Sequence, residues 1–334
     1  MEKKIVTFGE IMMRLTPQNG LRFIQSSNCD LFFGGSEANV AVALANYGFQ
    51  SQFVSKVPLN AFGSAALNKL RQYGVDTSEI VLGGDRLGSY LLEKGYSPCA
   101  NICTYDRAHS AFAEAGFQDF NWNKIFDNAE WFHFSGITPA LSPTLADICL
   151  QACKTAQKKG ITISCDINYR SKLWKMNQAQ TIMQNLCRYV DVMIINEEEA
   201  RVLGIKASAN DLMAIEPFTN MANILIQRYP VKVIASAARV PASCGLGAKA
   251  MLWRKGCYQS PVFPLNIEDP VGAGDAFAAA LIYGLLQDQD NQALINFATA
   301  ACALKHSIKG DFNLASVEDI EKLATNNAAS GVQR

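Results

Sequence analysis

From about residue 130 onward the chain alternates short apolar runs with longer amphipathic stretches, and that rhythm leaves few folds open. Residues 131–134 (WFHF), 161–165, 192–195 and 231–235 read as strands. Stretches 143–158, 177–189 and 197–203 carry helical spacing between them. Short runs that are apolar throughout suit strands buried on both faces, as in a parallel sheet covered by helices. The same reading makes 5–8 a buried first strand, 36–47 a helix capped by Ser36 or a neighbour, 52–57 a strand and 61–73 a helix closed by Gly74. It makes 276–286 and 291–306 long helices. Residues 80–113 are short alternating runs broken by Gly and Pro, the pattern of a small separate sheet. Residues 11–33 read as irregular, with Thr16-Pro17 and Asn19-Gly20 as turn signals. The expectation is one α/β domain over 1–325 with a Rossmann-like, mostly parallel sheet. A small β lid from about 11–33 and 87–113 and a frayed tail, 326–334, complete it.

Charge and hydropathy exclude several classes. In 334 residues, 30 Lys+Arg balance 30 Asp+Glu, so no general electrostatic grip on nucleic acid or an anionic membrane is expected. The longest apolar run, 276–286, falls well short of the roughly 20 residues that span a bilayer. The apolar stretch near the N-terminus, 5–8, is too short for a signal-peptide core, and a cytoplasmic protein is expected. The ten cysteines include no Cys-x-x-Cys. Cys99/Cys103 and Cys149/Cys153 are spaced to share a helix face, but two ligands do not make a metal site, and reduced, mostly buried thiols are expected.

Chemistry concentrates in three segments. In Asp269-Pro-Val-Gly272-Ala273-Gly274-Asp275 a small-residue turn enters a helix, which leaves backbone N–H groups free to bind an anion. A carboxylate there repels a phosphate, so Asp275 makes sense as a base that deprotonates an attacking hydroxyl; the alternative is a plain helix-start residue. Asn196-Glu-Glu-Glu199 follows a strand and reads either as a capping box or as a polar pair holding a hydrated Mg²⁺. Asp166-Ile-Asn168-Tyr-Arg170 places three polar groups at the end of a buried strand, where they line a crevice or pair with each other. Tyr105-Asp106-Arg107 reads at its simplest as a charged edge strand. Gly245-Leu-Gly247-Ala-Lys-Ala250 has the dinucleotide spacing but reads as strand and turn, without the helix a dinucleotide site needs. His133 reads as core.

Taken together these residues resemble the ribokinase-like (PfkB) carbohydrate kinases, over about residues 3–325. Gly34-Gly35-Ser-Glu-Ala-Asn39 is similar to the family's sugar-site signature. Asp269 to Phe277 is similar to its second signature, and Asn196 to Glu199 to its Mg²⁺-associated motif. Gly9-Glu10, Tyr105 to Arg107, Asp166 to Arg170 and the segment 304–313 resemble the subgroup that acts on 2-keto-3-deoxygluconate. The resemblance implies a three-layer ribokinase fold and ATP-dependent phosphorylation of the sugar acid's 6-hydroxyl. It implies Asp275 as base, with Gly272, Ala273 and Gly274 stabilising the transferring group. It also implies a sugar site of Gly34, Gly35, Asn39, Tyr90, Tyr105, Arg107, Asp166, Asn168 and Arg170, with Asn196, Gly272, Gly274, Lys305 and Asn313 on the nucleotide side. Asn196 and Glu199 would serve Mg²⁺, a monovalent cation is a possible further cofactor, and the lid would form a homodimer contact. Two arginines suit a carboxylate. Pro270 and the 235–249 loop depart from the family pattern. A neutral-sugar kinase and a sugar-binding regulator that has lost turnover are the alternatives.

Overall fold

The computed structural model describes residues 3–95, 101–205, 212–243 and 245–325. The expected tail, Cys99 and Cys244 lie outside them. The strands are β1 (Lys4–Phe8), β2 (Met12–Pro17), β3 (Cys29–Gly34), β4 (Gln50–Val57), β5 (Ile80–Leu82), β6 (Ser89–Glu93) and β7 (Ile102–Asp106). They continue with β8 (Ala129–Ser135), β9 (Thr162–Asp166), β10 (Val192–Ile194), β11 (Val233–Ala242), β12 (Gly245–Trp253), β13 (Cys257–Gln259) and β14 (Phe263–Pro264). A ten-stranded sheet runs in the order β13-β12-β11-β10-β9-β8-β1-β4-β5, with β14 beside β12. From β11 to β5 every pairing is parallel; β12 turns back antiparallel on β11.

The parallel centre is where the apolar runs fall, and their side chains feed a core on each face. Phe132, Phe134, Ile163 and Cys165 pack against the helix Pro143–Lys158, which has Ser142 as its cap and Pro143 at its first position. On the other face Trp131, Val192, Ile194 and Ala235 meet the helices Ala273–Leu286 and Asn291–Lys305. The first of these is almost wholly buried, from Ala276 to Ile282, which explains why it is apolar all round. His133 is core as expected: it is fully buried, its Nδ1 lies 2.8 Å from Ser164 Oγ, and burial pushes its pKa down to about 3.

Several expectations change. Residues 11–33 are irregular only in their middle, where Asn19 and Gly20 make the expected turn with left-handed φ; β2 and β3 on either side are antiparallel strands of a four-stranded sheet ordered β3-β2-β6-β7. In β2 the polar Arg14 and Thr16 are buried beside Met12 while Met13 and Leu15 are less so, which hides the strand's alternation from a hydrophobicity reading. Residues 80–82 do not join this sheet. β5 follows the helix Ala61–Gln72 and pairs in parallel with β4, completing a β-α-β crossover on the large sheet. The helix Ile215–Arg228 was not anticipated. The 245–253 segment is strand, as expected, and not a dinucleotide turn. Among described cysteines no disulfide forms, and Cys149, Cys153, Cys165, Cys187 and Cys302 are buried.

Candidate active site

A cavity of about 650 Å³ opens at the carboxyl ends of β8 to β11, between them and the small sheet. It is lined by Gly35, Ser36 and Asn39 from the first signature, Asp166, Asn168 and Arg170 after β9, and Asn196 and Glu199 after β10. Gly272 to Asp275 complete that side, and Tyr90, Cys103, Tyr105 and Arg107 close it from the small sheet. Residues remote in sequence meet here because a parallel sheet gathers the turns that follow its strands at one edge.

The turn before Asp275 is fixed by backbone demands. Gly272 is left-handed, with φ 83°, and a Cβ on it would lie 2.0 Å from the Asp311 carbonyl oxygen. Only glycine fits both constraints. Gly35 meets a similar limit: a Cβ there would stand 1.9 Å from the carbonyl oxygen of Glu10. Asp275 sits in the first turn of the helix Ala273–Leu286, but it is not simply a helix-start residue. Its Oδ1 accepts from Ser36 Oγ at 2.8 Å and its Oδ2 from Asn39 Nδ2 at 2.6 Å. Of the two caps the sequence allowed, Ser36 or a neighbour, it is the neighbour Gly35 that holds the cap position, and Ser36 orients a carboxylate 239 residues away. Burial raises the pKa of Asp275, opposed by those two donors and by the charges of Arg170 and Lys305.

Asn196 and Glu199 form the full capping box. Asn196 N donates to Glu199 Oε2 at 2.7 Å, and Glu199 N donates to Asn196 Oδ1 at 3.0 Å. Both also face the cavity. Burial pushes Glu199 up to about 7, and burial together with Glu199 and Asp275 holds Asp166 well above its usual range. Asn168 takes a left-handed φ of 40° and donates to Asp166 Oδ2 at 3.2 Å.

The basic side differs from the expectation in one respect. Arg107 is buried and already committed, its Nε and Nη2 donating to Glu10 Oε2. Arg170 is exposed to the cavity and makes no ion pair with Asp166 or any other described residue. Lys172, which sequence reasoning missed, lies beside it and donates to the Cys103 carbonyl at 3.4 Å. A second hollow of about 260 Å³ adjoins them, lined by Tyr105, Arg107, Arg170 and Lys172.

Two further residues are displaced from the nucleotide side that the resemblance implied. Lys305 and Asn313 do not line the cavity. Lys305 is enclosed behind the 269–274 turn, and Asn313 donates to Tyr47 Oη at 3.0 Å, bracing the helix Ser36–Asn46. Sequence reasoning also missed a buried network. Arg14, on β2, pairs with Asp269 and, at 3.1 Å, with Asp311, which accepts from Tyr90 Oη on β6. Glu37, wholly buried, accepts from Ser135 N, Ser135 Oγ and Thr138 Oγ1, and burial pushes it up to about 7. No described helix is long and apolar enough to cross a membrane.

Comparison with known proteins identifies the family. Over 337 aligned residues the chain is 31% identical to a 2-dehydro-3-deoxygalactonokinase of Haloferax volcanii, covering all of both chains. A crystal structure of a 2-dehydro-3-deoxygluconokinase from Thermotoga maritima is 45% identical, with a TM-score of 0.93 and coverage of 97% of this chain and 99% of that one. A ribokinase II of Escherichia coli, solved in complex with ATP and Mg²⁺, shares the fold at 20% identity, with a TM-score of 0.82 and coverage of 97% and 99%. Residues 2–314 match the profile of the pfkB family carbohydrate kinases. The chain belongs to that family and is a carbohydrate kinase with the ribokinase-like fold.

Proposed function

We propose that this kinase transfers the γ-phosphoryl group of ATP to the 6-hydroxyl of a 2-keto-3-deoxy sugar acid, with 2-keto-3-deoxygluconate as substrate. The observation that carries the reading is one cavity with two unlike ends. A carboxylate held by Ser36 and Asn39 stands at an anion-binding turn, and two cationic side chains with no ion pair among the described residues, Arg170 and Lys172, stand toward the small sheet. The relatives' names supply the same substrate class.

Asp275 takes the hydroxyl proton as the oxygen attacks phosphorus, its raised pKa suiting a base that must hold that proton. The Gly272 to Gly274 amides receive the charge that grows on the transferring group. Arg170 and Lys172 bind the sugar's carboxylate. Arg107, oriented by Glu10, offers its remaining N–H groups, and Tyr90 and Tyr105 cover the sugar from the small sheet. The donor set fits a hydrated divalent ion: Asp166 and Glu199 face the cavity, each with a raised pKa and no contact cation among the described residues. Mg²⁺ held there through water, with Asn196 nearby, would neutralise donor phosphates. Gly35 lines the cavity, whereas Gly34, which the resemblance put in the sugar site, does not: a Cβ on it would stand 2.1 Å from Asp311 Oδ2, so its smallness serves the packing of that carboxylate. The small sheet's outer face, with Leu31 and Ile102 about half exposed, suits a homodimer through the lid; a monomeric mass in solution overturns that part.

The test compares acid and neutral sugars. Charge-assisted bonds from Arg170 are worth roughly 1.5–3 kcal/mol, so Arg170→Leu should lower kcat/KM for 2-keto-3-deoxygluconate by about 10- to 100-fold and affect fructose far less. An equal fall for both would assign Arg170 to structure or to the phosphates. A wild-type preference for fructose or ribose would overturn the substrate.

A further inference from the structure

Behind the Gly272 to Gly274 turn lies a charge that the proposed reaction does not touch. Lys305, the last residue of the helix Asn291–Lys305, has no exposed surface. Its Nζ donates to the Asp269 carbonyl at 3.3 Å and to the Ile308 carbonyl at 2.9 Å. Its stem runs along the back of the turn, because a Cβ built on Gly272 would stand 3.4 Å from Lys305 Cε. Among the described residues it makes no contact ion pair; Arg14 holds the nearby Asp269 and Asp311. An ammonium enclosed without a contact carboxylate is expensive, and bonds to two carbonyls offset that cost only in part.

We propose that Lys305 is a positioning residue for the anion-binding turn. Its ammonium pins the Asp269 and Ile308 carbonyls, so that the amides of Gly272 to Gly274 face the cavity. It also places a fixed positive charge one layer behind the point where the transferring phosphoryl gains negative charge. The field is built before substrate arrives, which is what makes such charge effective. The role differs from the direct nucleotide contact that the family resemblance implied. A covalently tethered cation at this turn also removes the need for an exchangeable monovalent ion there. The inference rests on the kinase reading of the cavity.

The test uses Lys305→Met, which keeps length and removes charge. Affinities for ADP and for ADP with aluminium fluoride, a mimic of the transferring group, are measured by calorimetry with Mg²⁺ present. Loss of preorganised charge should weaken the mimic at least about tenfold and leave ADP nearly unchanged. kcat should fall by a similar factor at an unaltered KM for the sugar acid. A purely structural lysine would lower the thermal midpoint and keep the ratio of the two affinities, and that result overturns the proposal. If the Met variant does not fold, Lys305→Ala is assayed with added ethylammonium: recovery of the ratio supports the proposal and its absence overturns it. Exchange of K⁺ for tetramethylammonium should leave the wild-type rate unchanged. A wild-type protein that binds the mimic tightly yet ignores 2-keto-3-deoxygluconate would defeat the substrate reading and leave this one standing.

Discussion

Two groups of acids flank the turn that ends at Asp275, Asp269 and Asp311 buried behind it and Asp166, Glu199 and Asp275 facing the cavity, and the fold treats them differently. Asp269 and Asp311 share the guanidinium of Arg14, and Asp269 also accepts from Val271 N at 3.3 Å and Gly310 N at 3.0 Å. Among the described residues Asp166, Glu199 and Asp275 have no contact cation, and Arg170 acts on them only through space; burial makes all three hold their protons more tightly than usual, as it does Asp311, pushed up to about 6 in spite of Arg14, so the groups differ in their contact partners. A buried acid with contact partners fixes geometry, because moving it breaks several strong bonds. A cavity-facing acid without one stays open to a ligand or a reacting hydroxyl.

Breaking the first group should cost the most. Arg14→Met leaves two carboxylates without their cation, and about 3–5 kcal/mol of stability should go, read from urea denaturation. A loss below about 1 kcal/mol would mean that Arg14 braces nothing. In the second group the effect should move from stability to rate. Asp275→Asn keeps the partners Ser36 and Asn39 within reach and should lower kcat by at least about 10²-fold with folding and sugar affinity intact. A variant that keeps half its turnover would make Asp275 a helix-start residue only. The smallest and most discriminating change is Glu199→Gln. Glutamine can still close the capping box, so the thermal midpoint should hardly move while the Mg²⁺ concentration at half-maximal rate rises. A stability loss of about 0.5–2 kcal/mol with unchanged Mg²⁺ dependence would instead make Glu199 a cap alone.

The first of these groups is also the one the sequence hid. Parallel strands such as β8 and β9 announce themselves, because both faces are buried and the run is apolar. Pro143 to Lys158 is visible to the residue, because Ser142, Pro143 and the apolar spacing agree. Asp275 and its glycines stand out because a left-handed turn at a helix start accepts few residue types. Arg14 gave no such sign: a charged residue in a strand ordinarily points to solvent, and the carboxylates that bury it lie 255 and 297 positions further on. Ser36 is hidden for the same reason: a helix-start hydroxyl reads as a possible cap, and its partner shows only when the helix Ser36–Asn46 packs against the helix Ala273–Leu286. Lys172, in a loop after β9, had no motif around it.

The small sheet joins β2 and β3, from the first tenth of the chain, to β6 and β7, and is bolted down by residues near the chain's end. Arg14 waits for Asp269, Tyr90 for Asp311 across 221 positions, and Ser36 for Asp275. Loops of that length close slowly, and a nascent chain emerges from the ribosome at roughly 5–20 residues per second. For many seconds, therefore, the growing polypeptide carries an unneutralised guanidinium and an incomplete lid, with no turn for either to rest on. The catalytic apparatus assembles as the closing event of biogenesis, so a chain that stops before residue 311 can acquire much of its central sheet and still have no working site.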